Sequence, residues 1–305
     1  MDTIDERRVV IQPLHTGWYA GRAAAVDMLR LDLLHPIISG NKWYKLRLNI
    51  QRAGERRFKT IVTFGGGHSN HLIATAHAAR MHRLGSVGIV RGNYPVLTPT
   101  LQQCVAEGMQ LLFVSQEDYK RKEQPEWVQE LTAHFDEILI VPEGGANEWG
   151  RRGAGLIDRF VGKEYTHVLL SVGSGTTLAG LRNQLSTEQH ILGFAPMKQG
   201  AYLEDHIRPW LKDGKDTNWK IFDRWHFGGF GKCTDELIVF MNDFYRQHSV
   251  PLDVVYTGKM MAGVRALLDE GYFPADARLL CIHTGGLQGN SMVADRLVYP
   301  GMGIH

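Results

Sequence analysis

The chain has 305 residues, enough for a large core and two lobes, and its 44% apolar and 22% charged residues are those of an ordinary globular protein. A formal charge of +2 without a block of Lys or Arg gives no footing for nucleic acid or an anionic membrane surface, and no apolar run is long enough to span a bilayer. Cys104, Cys233 and Cys281 form neither a disulfide framework nor a C-x-x-C metal pair, and the polar start MDTIDERRVV is unlike a signal peptide, so the expected compartment is the cytoplasm.

The first chemical feature is SGNKWYK at 39–45, which puts Lys42 and Lys45 three apart on a first helical turn. A nearby ammonium lowers a lysine's pKa and leaves more free amine, as Schiff-base formation needs. By itself the pair reads more readily as solvated surface. KTIVTF then runs as a strand to Phe64 and meets the glycine turn GGGHSNH at 65–71. HSNHLIATAHAARMHRLG follows as a helix with Ser69 and Asn70 as candidate caps. Ser69, Asn70 and His71 stand where unpaired N–H groups can receive a carboxylate, or where simple capping is enough. His68, His71 and His77 make a poor metal set, since His71 and His77 point to different helix faces and no Asp or Glu lies nearby.

SVGIVRG, MQLLFVS and DEILIVPEGG read as further strands, with TLQQCVAEG and PEWVQELTAHF as the helices between them. After Gly150 the pattern restarts with the strand THVLLSVGSG and the helix TTLAGLRNQL. HILGFAP is a strand, DELIVFMNDFYRQH a helix, LDVVYTGK a short strand or loop, MAGVRALLDEG a helix and RLLCIHTGG the last strong strand. Lys212 to Lys232 is the least regular stretch and reads as a surface loop or flap. This succession predicts an α/β fold with largely parallel sheets.

GSGTTLAG at 173–180 has the makings of a phosphate cradle: Gly173 and Gly175 let an anion approach the backbone, while Ser174, Thr176 and Thr177 offer hydroxyls. It lacks the Lys of a Walker A loop and the spacing of a dinucleotide fingerprint, so ATP and NAD fit poorly. With GGGHSNH and HTGGLQGN (283–290) it makes three glycine turns after strands, and such turns converge at the carboxyl edge of an open sheet. The residues alone still leave open a nucleotide- or ligand-binding α/β protein without catalysis, in which Lys42 is a surface lysine.

Together these segments resemble the 1-aminocyclopropane-1-carboxylate deaminase and D-cysteine desulfhydrase family of pyridoxal 5'-phosphate (PLP) enzymes, from about Pro36 to Gly289. SGNKWYK, GGGHSNH, GSGTTLAG, VYTGKMMAG and IHTGG carry the resemblance in order. It implies the tryptophan synthase β-like fold (fold type II), two open twisted parallel-sheet domains with the PLP cleft between them. Residues 1–45 plus 151–305 would form the large domain and 46–150 the smaller inserted one. The Schiff-base lysine falls on Lys42, Asn70 would bond the ring's phenolic oxygen, and Gly173 to Thr177 would hold the phosphate. Ser69, Asn70 and His71 would face the substrate carboxylate, and Tyr256 would act on the substrate as acid, base or nucleophile.

Where the deaminases look to have Glu and Leu, this chain has Thr257 and Thr284, either of which would stand at the pyridine nitrogen. Hydroxyls there leave a weaker electron sink, which favours β-elimination from D-cysteine, to pyruvate, ammonia and hydrogen sulfide. Deamination of the cyclopropane amino acid, or elimination from D-serine or another β-substituted alanine, is the alternative. The expected partners are a small amino-acid substrate and a second copy of the chain in a homodimer. Departures from the family occur at YPVLTPTL after VRGN and at HFGGFGK (226–232), near the expected substrate mouth.

Overall fold

The computed structural model describes residues 4–299. Ten strands run in chain order: β1 (Ile11–Pro13), β2 (Ala25–Arg30), β3 (Thr60–Gly66), β4 (Gly85–Arg91), β5 (Met109–Val114), β6 (Ile138–Val141), β7 (His167–Ser171), β8 (His190–Phe194), β9 (Trp219–Phe222) and β10 (Arg278–His283). They form a six-stranded sheet, β1-β2-β10-β7-β8-β9, and a four-stranded sheet, β5-β4-β3-β6. Every pairing is parallel except that of the edge strand β1 with β2. Strands covered on both faces read as continuous apolar runs, and β7 (HVLLS) is buried throughout.

Among the described residues nine α-helices cover the sheets: α1 (Asn41–Glu55), α2 (Asn70–Met81), α3 (Pro99–Ala106), α4 (Pro125–Leu131), α5 (Glu148–Gly155), α6 (Thr176–Arg182), α7 (Tyr202–Ile207), α8 (Asp235–His248) and α9 (Thr257–Asp269). In α8, Leu237, Met241, Phe244 and His248 recur at helical spacing on the buried face, Thr234 caps the start, and Ser249 ends it in the left-handed conformation (φ 54°). α2 is buried from His71 to Ala79, and its alanines let it lie close to the small sheet. Among the described residues no helix is long and apolar enough to cross a membrane.

The structure sharpens or corrects the sequence expectations in three places. Residues 212–232 are not wholly irregular, because β9 pairs with β8 at the sheet edge. LDVVYTGK holds no strand: the Asp253 side chain captures the N–H groups of Val255, Tyr256 and Thr257, so the segment winds directly into α9. β2 (AVDMLR) escapes sequence reading because charges interrupt its apolar run. The buried Arg30 side chain at its end makes a bidentate pair with Asp32 (2.9 and 2.7 Å).

Candidate active site

The site lies where the carboxyl ends of β3, β7 and β10 meet the starts of α1, α2, α6 and α9. α1 begins directly after Gly40, whose φ of 64° and ψ of −141° suit only glycine; a Cβ there would stand 1.9 Å from the Thr284 carbonyl oxygen. That close approach joins α1 to the turn after β10. Asn41 then fixes three partners: its N–H donates to Thr284 O (3.3 Å), its Nδ2 donates to Thr177 Oγ1 (2.8 Å), and its Oδ1 accepts from Lys42 Nζ (2.9 Å).

Lys42 is not a solvated surface lysine. Burial lowers its pKa to about 8, opposed by the negative charge of Asp253. The expected cause was the neighbouring Lys45 ammonium; here burial does the work, and it is Lys45 that feels its neighbour's charge. Lys45 is pushed well below the ordinary lysine range by burial first and by Lys42 second. Its Nζ reaches Ser174 Oγ at 3.4 Å, and Ser174 shares a 2.8 Å hydrogen bond with Thr176. Thr176 and Thr177 are buried behind that hydroxyl. Gly175 is left-handed (φ 78°), and a Cβ on it would collide with Ile207 at 2.5 Å.

Ser69 caps α2, its hydroxyl accepting from Leu72 N at 3.3 Å while its own proton stays available. Asn70 Oδ1 and Ser39 Oγ are buried without a hydrogen-bond partner among the described residues. His71 turns inward. Thr63 gives its proton to the Val141 carbonyl (2.7 Å), so at 3.0 Å it accepts from His71 Nε2. Burial, then the charges of Lys42 and Lys45, push the imidazole down to about 3 and keep it neutral.

The opposite wall is the start of α9. The Tyr256 ring lies 6.0 Å from Lys42 Nζ and beside Gly173, whose Cβ position is 3.5 Å from Tyr256 Cε1. Asp253 is fully buried and accepts from four donors: Val255 N (3.0 Å) and Tyr256 N (2.7 Å) at Oδ1, Thr257 N (2.8 Å) and Thr257 Oγ1 (2.6 Å) at Oδ2. A Cβ on Gly286 would sit 2.9 Å from Asn70 Nδ2 and 3.4 Å from Asp253 Cγ, so Asn70, Asp253 and the turn after β10 converge.

The structure therefore brings together Lys42, Asn70, the 173–177 loop, Tyr256, Thr257 and Thr284. It also adds residues the sequence reading passed over. Asn41 was hidden inside a quoted motif. Asp253, three residues before Tyr256, carries a capping signal that was readable. Tyr94 and Thr98, in the atypical segment after VRGN, clasp the Gly67 peptide from both sides: the Tyr94 hydroxyl accepts from Gly67 N at 3.0 Å and Thr98 donates to Gly67 O. Only tertiary contact reveals that pair.

Comparison with known proteins decides the family. The profile of the pyridoxal-phosphate dependent enzymes matches residues 27–285. The chain belongs to that family. Similar proteins include one from Thermotoga maritima provisionally assigned as a 1-aminocyclopropane-1-carboxylate deaminase, 27% identical over 88% of this chain and 91% of that one. A second is the mitochondrial bifunctional D-cysteine desulfhydrase/1-aminocyclopropane-1-carboxylate deaminase of Arabidopsis thaliana, 26% identical over 83% and 70%. The crystal structure of an ACC deaminase homologue superimposes with a TM-score of 0.84 at 25% identity, covering 98% of this chain and 95% of that one.

The residues fit PLP. Lys42 offers an amine of lowered pKa, the 173–177 loop with Lys45 offers hydroxyls, glycines and a second amine, and Asn70 keeps a buried amide oxygen without a partner. An aromatic aldehyde with a phosphate tail and a phenol calls for that mix of amine, hydroxyl donors and amide acceptor.

Proposed function

We propose that this enzyme catalyses β-elimination from a small amino acid, with D-cysteine as substrate, hydrogen sulfide as the leaving group, and pyruvate and ammonia formed when water hydrolyses the eliminated product. The observation that carries the reading is the pair of buried hydroxyls, Thr257 and Thr284, where the deaminases of the resembled family carry a carboxylate and a leucine. The carboxylate on that wall, Asp253, has both oxygens engaged by four donors. Thr257 gives its proton to Asp253, so Thr284 is the threonine with a proton for the pyridine nitrogen. A neutral pyridine suffices when thiolate leaves, and is less suited to opening a cyclopropane ring.

When bound, PLP supplies the carbonyl that condenses with an amine and the electron sink for a carbanion. In this reading Lys42 holds the cofactor, Asn70 bonds its phenolic oxygen, and Ser174, Thr176, Thr177 and the Gly173 and Gly175 backbone hold its phosphate beside Lys45. Ser69 and Asn70 receive the substrate carboxylate, while His71, turned inward onto Thr63, does not reach it directly. Lys42 Nζ, partly unprotonated near neutral pH, takes the proton from the substrate's α carbon. Burial and the charge of Asp253 raise the Tyr256 hydroxyl, which stays protonated and hands its proton to the departing sulfur.

The name of the Thermotoga maritima relative favours a second reading, ring-opening deamination of 1-aminocyclopropane-1-carboxylate, and that of the Arabidopsis thaliana relative carries both activities. One experiment separates the two: absorbance of the purified protein before and after D-cysteine or the cyclopropane amino acid, with products assayed in the same tube. Sulfide with pyruvate supports the first reading and 2-oxobutyrate the second; a cofactor band with none of these products overturns both. The proposal includes a symmetric homodimer, read by light scattering.

A further inference from the structure

The glycine- and aromatic-rich segment 226–232 has no helix or strand to hold it. Phe227, Gly228, Gly229 and Gly231 all have positive φ (46°, 91°, 119° and 69°), so the backbone here is a chain of left-handed turns. Its ends are anchored. Trp225 packs on Phe194 and Phe222 (ring centroids 5.9 and 5.8 Å), and Thr234 caps α8. The middle also receives a hydrogen bond from a side chain of another element. Lys259, on the first turn of α9 and 2% exposed, donates from Nζ to Gly229 O at 2.8 Å and to Pro196 O at 3.4 Å. Gly229 O also accepts from Lys232 N at 3.0 Å, so both of its lone pairs are engaged at the apex of the segment.

The residue after that apex is Phe230. Its ring meets Tyr256 edge-on, with centroids 5.9 Å apart and planes at 74°, while its outer side remains 52% exposed. Tyr256 in turn stands beside Gly173 and Lys42. Phe230 thus packs on the tyrosine that walls the site. An ammonium buried against two neutral carbonyls is costly to place. Burial lowers Lys259 to about 8 against the opposing charge of Asp253. A surface loop that only had to cover core would not need such a group.

We propose that Lys259 is a positioning residue for substrate choice: by holding the Gly229 carbonyl it keeps Phe230 against Tyr256 as an apolar wall of the substrate pocket. The wall rests on the reading of Tyr256 as substrate-facing; the clip itself does not. An aromatic wall suits small amino acids whose β-substituent is uncharged and soft or apolar, such as a thiol or thioether. It disfavours a carboxylate there, which would lose its water against a ring whose face is itself negative.

The test uses the holoenzyme and two variants, Lys259→Met, which keeps the apolar stem and removes the donors, and Phe230→Ala. Hydrogen exchange should show the 228–232 amides of Lys259→Met exchanging about tenfold faster than in the parent, a loss of about 1.4 kcal/mol of local hold, with α8 and β8 unchanged. Both variants should lower kcat/KM for S-methyl-D-cysteine relative to D-serine by about fivefold, the value of roughly one methylene left unburied. The loss should fall in KM with kcat retained. Lys259→Arg, which restores a donor, should recover part of the exchange protection. Unchanged exchange at 228–232 in folded Lys259→Met overturns the proposal, and so does an unchanged substrate ratio in Phe230→Ala. If Lys259→Met fails to fold, Lys259→Gln takes its place in the exchange arm. A parent enzyme that releases product from neither amino acid refutes the elimination reading, and the exchange arm still decides the clip.

Discussion

Replacing Asp253 by Asn tests the start of α9 more sharply than any other single change. The carboxylate accepts two donors at each oxygen, and an amide can accept at only one end. The less costly rotamer puts the new NH2 where Oδ2 stands, since the Thr257 hydroxyl can turn and accept from it. Thr257 N–H is then buried without an acceptor, at roughly 1–3 kcal/mol, and the bonds to Val255 and Tyr256 lose their charge assistance. The sum is roughly 3–5 kcal/mol, a large part of a typical total of about 5–15 kcal/mol. A thermal melt of the variant should shift down on the order of 10 °C. The charge has a second effect with a definite sign. Asp253 raises the Lys42 pKa, so its removal moves that pKa down from about 8 and frees the amine at lower pH. Cofactor uptake by the apoprotein, followed by absorbance across a pH series, should rise through about 8 in the parent and at lower pH in the variant. A melt within 2 °C of the parent (roughly a fifth of the shift expected) with an unmoved uptake midpoint would refute the assignment of Asp253.

Lys42→Ala should leave no lysine linked to PLP: borohydride reduction adds cofactor mass to the residue-42 peptide of the parent and not of the variant, and a retained link would move the attachment elsewhere. Tyr256→Phe should bind cofactor normally while losing on the order of 10²-fold or more in kcat, and unchanged turnover removes the hydroxyl from the mechanism. Gly40→Ala should abolish soluble expression, because a Cβ 1.9 Å from Thr284 O cannot be relieved without parting α1 from β10; a folded, active variant would contradict the backbone described here.

Much of this protein is legible from sequence because local rules wrote it. Apolar runs made β3, β7 and β10, helical spacing made α8, and Ser69 capped α2 as its residue type requires. The glycine turns marked the places where backbone had to approach backbone or ligand, and five ordered motifs carried the cofactor before any contact was known. The comparisons bear out the cofactor and the fold, and the family profile excludes the reading of a ligand-binding protein without catalysis. What sequence could not supply were facts that exist only between distant segments. Which group lowers Lys42 was misjudged, since neighbouring charge is visible along the chain and burial is not. Edge strand β9 was missed because a four-residue strand earns its identity from the partner it pairs with. Tyr94 and Thr98 on Gly67, Asn41 on Thr177, and Lys259 on Gly229 each join segments at least 30 residues apart, except Tyr94 at 27. Periodicity reports which face of an element is dry; only the folded chain decides which donor meets which acceptor, because that depends on distances that no local pattern encodes.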